Sequence, residues 1–99
     1  MARLSSDQID SRLRSLPGWK READFIAKSF EFETFMDGIT FVNKIASIAE
    51  RVDHHPDIHI RWTSVRLQIQ THDQGGVTPL DIELAEKIEK SLLKGPHRK

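Results

Sequence analysis

Cysteine is absent from the 99 residues, which rules out disulfides, thiolate metal sites and cysteine nucleophiles. Net charge is absent as well, because fifteen Lys+Arg balance fifteen Asp+Glu. A nucleic-acid binder usually carries a clustered positive excess to neutralise phosphates. Here the longest basic tract is the terminal His97-Arg98-Lys99, which reads as a solvated tail. No apolar run reaches the roughly 18 residues of a membrane-spanning helix. The opening Met-Ala-Arg-Leu-Ser-Ser lacks the apolar stretch of a secretion signal. The expectation is a cytoplasmic protein without nucleic-acid or membrane partners. A chain of this length is expected to form one domain over 1–99, burying roughly 60–70% of the surface its unfolded form exposes. Association is a common remedy for so modest a core.

What is present is clear periodicity. Ser5 with Gln8 forms a capping box, Leu4 can staple against Ile9, and Ile9, Leu13 and Leu16 recur at helical spacing until Pro17-Gly18. A short strand is expected over 19–22, a turn at Ala23-Asp24, and a second strand over 25–32. In that strand Ile26, Phe30 and Phe32 share a face that Lys28 interrupts. Thr34 with Asp37 opens a helix to about Val52. Two stripes run along it: Phe35, Ile39, Val42, Ala46, Ala49, and beside them Phe41, Ile45, Ile48, Val52. Two adjoining stripes bury more than half the girth of a helix, so one exceeds what a sheet face needs. We expect the surplus to be the Phe41 stripe, available to another subunit.

After Pro56 the period becomes two. Ile58, Ile60 and Trp62 alternate with polar residues, a turn follows near Thr63-Ser64, and Val65, Leu67 and Ile69 alternate in turn. Residues 73–77 form a loop. Thr78 caps the last helix with Pro79 first and Asp81 third, Leu80, Leu84, Ile88 and Leu92 are its stripe, and Gly95-Pro96 ends it. The order α-β-β-α-β-β-α describes an α+β domain, a four-stranded antiparallel sheet with helices packed on one face.

Four of the five histidines fall between positions 54 and 72. Histidine titrates near neutrality without help, so a cluster invites acid–base or metal chemistry. Proline forces His55 out of the helical region, which ends the helix at about His54 and fixes two adjacent imidazoles at a helix-to-strand corner. The negative end of the helix dipole makes His54 a candidate proton donor. The plainer alternative is a surface corner whose histidines cap carbonyls. Asp53, Asp57 and Asp73 add oxygen ligands, yet Pro56 keeps His55 and His59 off one helix and no H-E-x-x-H is present, so no metal is expected. His59 reads as solvated, and His97 carries no role. Ser47 and Ser64 have no nucleophile elbow, and Gly75-Gly76 reads as a turn. Trp19 and Trp62 are each either core or a flat wall for a planar ligand.

The run Glu50-x3-His54-His55-Pro56-x5-Trp62-x9-His72-x8-Asp81 resembles the signature of the pterin-4a-carbinolamine dehydratase family. Leu16-Pro17-Gly18-Trp19, Phe30-Glu31-Phe32, Thr71-His72-Asp73 and Leu80-Asp81-x2-Leu84-Ala85 agree with it, so the resemblance spans about Leu4 to Ile88. Trp62 departs from the tyrosine of many members, which alters the pocket rather than the chemistry. The resemblance implies an enzyme that dehydrates 4a-hydroxytetrahydropterin to quinonoid dihydropterin, recycling the cofactor of aromatic amino-acid hydroxylases. It implies no metal or organic cofactor, and a homodimer or homotetramer. It puts His54, His55 and His72 at the pterin, flanked by Asp53, Thr71 and Asp73, with the division between acid and base open. Glu50 is then a candidate to orient a histidine, and Asp81 a helix cap before a catalyst. Some similar proteins are instead protein-binding modules, as transcriptional coactivators or assembly factors.

Overall fold

The computed structural model describes residues 2–93. The elements are α1 (Ser6–Leu13), β1 (Lys20–Glu22), β2 (Phe25–Glu31), α2 (Phe35–Val52), β3 (Asp57–Arg61), β4 (Ser64–Ile69) and α3 (Pro79–Leu93), with a 3-10 turn at His72–Gln74. The strands form one antiparallel sheet in the order β1-β2-β4-β3. This is the expected α+β architecture. The core follows from the strand period: Ile26, Phe30, Val65, Leu67 and Ile69 share one sheet face and meet Ile9, Phe41, Ile45, Ile48, Leu84 and Ile88 from the three helices. Burying each such side chain fully contributes roughly 1.5–3 kcal/mol.

Local chemistry sets the boundaries. Ser5 accepts from the Gln8 backbone N–H at 3.1 Å while the Gln8 side chain accepts from the Ser5 N–H at 2.8 Å, closing the expected box. At α2 Thr34 Oγ1 accepts from the Asp37 N–H at 3.0 Å, so Thr34 caps the helix that it was expected to open. The first helix stops at Leu13 rather than at the Pro17-Gly18 break. Leu16 lies in the turn beyond it, its N–H bonded to the Leu13 carbonyl and its side chain still buried. α1 is tied to β1 by Arg21 and Asp10 at 2.9 Å. The hydrogen bond from Arg21 holds the Asp10 carboxyl below its ordinary range.

Lys28 sits on the core face as the sequence indicated, and the structure supplies its partner. Its Nζ lies 2.7 Å from Glu89 of α3 and 3.0 Å from the Pro17 carbonyl. Trp19 Nε1 donates to the same Glu89 oxygen at 2.9 Å, so Trp19 is core, not a ligand wall. Two stripe assignments are corrected. On α2 the Phe41, Ile45, Ile48 row faces the sheet, so the surplus is the other row, with Phe35 and Ala46 exposed and Ile39 and Val42 half-buried. On α3 Leu80 turns outward and Ile82 takes its place in the core, because the helix must also bury Asp81. The turn joining β3 to β4 is Trp62-Thr63 rather than Thr63-Ser64. Trp62 thus leaves the strand, at a left-handed φ of 53°. Gly95-Pro96 and His97 lie outside the described residues.

Candidate active site

α2 ends because Asp53 adopts φ 55°, ψ 44°, its N–H bonding back to the Ala49 carbonyl. The His54 N–H bonds to the same carbonyl at 3.1 Å. This left-handed cap, followed by the extended chain that Pro56 requires, separates the two imidazoles. They find different carboxylates.

His55 Nε2 lies 2.5 Å from Glu50 Oε2, five residues back on the last turns of α2, and both side chains are exposed. His54 turns inward instead. Its Nε2 is 2.5 Å from Asp81 Oδ1, and Asp81 is fully buried. The other Asp81 oxygen, Oδ2, accepts from the Thr78 N–H at 2.8 Å and from the Thr71 hydroxyl at 2.9 Å. Thr78 Oγ1 accepts from the Leu80 N–H at 3.2 Å and lies 2.8 Å from Thr71 Oγ1.

Proton counting fixes this network. A hydroxyl has one hydrogen, and Thr71 spends its own on Asp81. Thr78 therefore donates to Thr71, and an ionised Asp81 can only accept, so the proton on His54 Nε2 points at it. His54 is left with Nδ1 as its free nitrogen. A buried carboxylate with all its partners satisfied holds an imidazole in one tautomer and one orientation.

Asp81 is thus a helix cap, as expected, and also the partner of His54. Thr71 is engaged with Asp81, so its hydroxyl serves the histidine's support rather than the open surface. Thr78, read from the sequence only as a cap, belongs to the same network. The [ST]-x-x-[DE] spacing of Thr78 and Asp81 was its one signal. His72, next to Thr71, is exposed and opens the 3-10 turn, which the Thr71–Gly76 bridge closes. Asp53 and Asp73 are exposed as well. Trp62 is not gathered with these residues. The six residue steps from Pro56 to Trp62 cover about 20 Å of strand, so Trp62 stands at the opposite end of β3. Among the described residues, no three His, Asp or Glu side chains are grouped as metal ligands. A hollow of about 450 Å³ lies away from the histidines, lined by Arg3, Ser6, Arg21 and Gly76 among others.

The sequence model of the family described as pterin 4 alpha carbinolamine dehydratase matches residues 2–91. A Mycolicibacterium smegmatis protein that carries this activity as a provisional name is 49% identical over 92 residues, covering 93% of this chain and 98% of its own. A solved structure from Brucella melitensis, described as a transcriptional coactivator/pterin dehydratase, superposes with a TM-score of 0.84 at 34% identity, covering 89% of this chain and 96% of that one. A further structure, of a pterin dehydratase-like protein identified as a RuBisCO assembly factor in the alpha-carboxysome, shares the fold with a TM-score of 0.59 at 16% identity, over 73% of this chain and 83% of that one. With a carboxylate-held histidine at the helix-to-strand corner and a family match over nearly its whole length, the chain belongs to the pterin 4 alpha carbinolamine dehydratase family.

Proposed function

We propose that this protein dehydrates 4a-hydroxytetrahydropterin to quinonoid dihydropterin and water, by histidine acid–base catalysis at His54, His55 and His72. The observation that carries the reading is the buried Asp81 carboxylate 2.5 Å from His54 Nε2. The reaction breaks the C4a–O bond. The departing hydroxyl takes a proton and leaves as water, while a ring N–H gives up its proton and forms the new C=N bond. A positioned acid and a positioned base each contribute typically 10²–10⁴-fold. His54, held through Nε2, offers Nδ1 to one of these transfers. His55, held by Glu50, and the exposed His72 supply the other. Asp53 and Asp73, both exposed, are in this reading contacts for the polar pterin, and neither step calls for a metal or an organic cofactor. The family match supports the pterin as substrate, and recycling of tetrahydropterin for an aromatic amino-acid hydroxylase in the cytoplasm is the corresponding role.

Purified protein accelerates carbinolamine breakdown in this reading, and EDTA leaves the rate unchanged. His54→Ala and His72→Ala each lower turnover by about 10²-fold or more; Tm changes little for the exposed His72, and falls by several degrees for His54, whose loss leaves the buried Asp81 Oδ1 without its partner. Activity lost to EDTA and restored by zinc would replace acid–base chemistry with a metal reading. A second reading, a non-catalytic protein-binding module, is favoured by the exposed Phe35 and Met36 of α2. Stable binding of a partner through that face, with no turnover, would select it.

A further inference from the structure

Two of the three site histidines are held by a carboxylate, His54 by Asp81 and His55 by Glu50. The His72 imidazole has no such partner among the described residues, so its place is set by the backbone that carries it. That backbone is the loop between β4 and α3. Gly75, at a left-handed φ of 69°, turns the chain so that its N–H bonds back to the His72 carbonyl at 3.0 Å. The Thr71 N–H bonds to the Gly76 carbonyl at 2.9 Å and closes the loop at its base. All these bonds lie within the loop. They fix its shape and leave open how its tip stands against the rest of the protein.

The anchor comes from the segment before α1. The Leu4 N–H bonds to the Val77 carbonyl at 2.7 Å, which lays this segment beside the loop. Arg3 Nη1 then donates to the Gly75 carbonyl at 3.3 Å, across 72 positions of chain. Among the described residues no Asp or Glu pairs with Arg3, so the loop carbonyl is what its guanidinium engages. The stem of the side chain matters as much as its head. A Cβ placed on Gly76 would come within 2.7 Å of Arg3 Cδ and 3.4 Å of Cγ, closer than ordinary contact. Gly76 has no left-handed φ to explain it, so the close approach of the arginine is what calls for glycine there. Gly76 is also buried while Arg3 is exposed, because the methylenes cover the glycine and the charged head stays in water.

We propose that Arg3 is a positioning residue for His72, clamping Gly75 and Gly76 so that the imidazole stands where its proton transfer needs it. One exposed hydrogen bond contributes little to global stability. Proton transfer is far more sensitive, since a misplacement of about 1 Å can cost up to about 10²-fold. The clamp therefore registers in turnover before it registers in Tm. Its part in turnover rests on the dehydratase reading above, and the clamp itself does not.

Arg3→Ala is expected to lower kcat by roughly three- to tenfold with KM and Tm nearly unchanged. In a His72→Ala background the same substitution changes nothing, because the group it positions is gone. An equal loss with and without His72 overturns the proposal. Gly76→Ala drives the arginine stem off the loop and reproduces the loss of Arg3→Ala. The double variant is no slower than either single one, since the three atoms nearest the added methyl all belong to Arg3. Losses that multiply instead would give the two substitutions separate causes and refute the clamp. NMR reads the same contact without turnover. Arg3→Ala shifts the His72 ring resonances and speeds amide exchange at Gly75 by about threefold or more, while the His55 ring is unmoved. An unaltered His72 spectrum overturns the proposal. A wild type without turnover removes the dehydratase reading alone, and the NMR result still decides whether Arg3 holds the loop.

Discussion

At the scale of single residues the decisive group is Asp81. Three donors converge on its carboxylate, from His54, Thr71 and Thr78, and it is fully buried. Asp81→Ala leaves all three unsatisfied at roughly 1–3 kcal/mol for each buried group, so this variant reports on stability, not on chemistry. Asp81→Asn separates the two. Its amide oxygen still accepts from the Thr78 N–H, while its NH₂ faces His54 and requires Nε2 to become the acceptor. The imidazole proton then moves to Nδ1, the nitrogen meant to face substrate. Turnover is expected to fall by about 10²–10⁴-fold while Tm changes by only a few degrees, as steady-state kinetics and thermal melts will show. An asparagine variant with near wild-type turnover would make Asp81 a cap alone. The sequence exposed only part of this residue. Its place three residues after Thr78 announced the cap, but 27 residues separate it from His54, and no local rule reaches that far. Glu50 and His55 were easier to pair, being five positions apart around one helix end.

Among elements, legibility followed hydrogen-bonding chemistry. Capping residues located the starts of α1, α2 and α3, since a side chain that satisfies a free N–H is written in a few adjacent letters. Ends and faces were less readable where tertiary contacts chose among options. Ile82 displaced Leu80 because Asp81 had to point inward. Lys28 could enter the core face because Glu89, 61 positions away, meets it. The end of α2 shows the same tension, because Asp53 holds a left-handed cap that glycine adopts without a Cβ penalty. Asp53→Gly is expected to stabilise the protein by up to about 1 kcal/mol, raising Tm by several degrees. If the Asp53 carboxylate also contacts the pterin, as proposed, the same variant raises KM while leaving kcat nearly intact. Lower stability would show that the carboxylate contributes more to the corner than the left-handed strain costs.

For the whole molecule the open question is what covers the outer row of α2. Phe35 and Met36 are 45% and 64% exposed, and Ile39 and Val42 are half-buried beside them. Scattered apolar side chains are ordinary on a surface, but a row along one helix is a contiguous patch, and such patches mark contacts. Two chains joined at a sheet edge, as the resemblance to oligomeric relatives leads us to expect, would set their α2 helices on one side of a continuous sheet, giving each dimer a broad apolar face. Two such faces can cover one another only by stacking dimer on dimer, which makes a closed tetramer of dihedral symmetry. A domain with so small a core gains burial in the process. Light scattering at about micromolar protein is therefore expected to give four times the 11.4 kDa chain mass. Phe35→Lys with Met36→Lys places two charges on the patch without touching the core and should halve that mass. A wild-type mass of 11.4 kDa would refute both surfaces together, and an unchanged mass in the double lysine variant would refute the helix face alone.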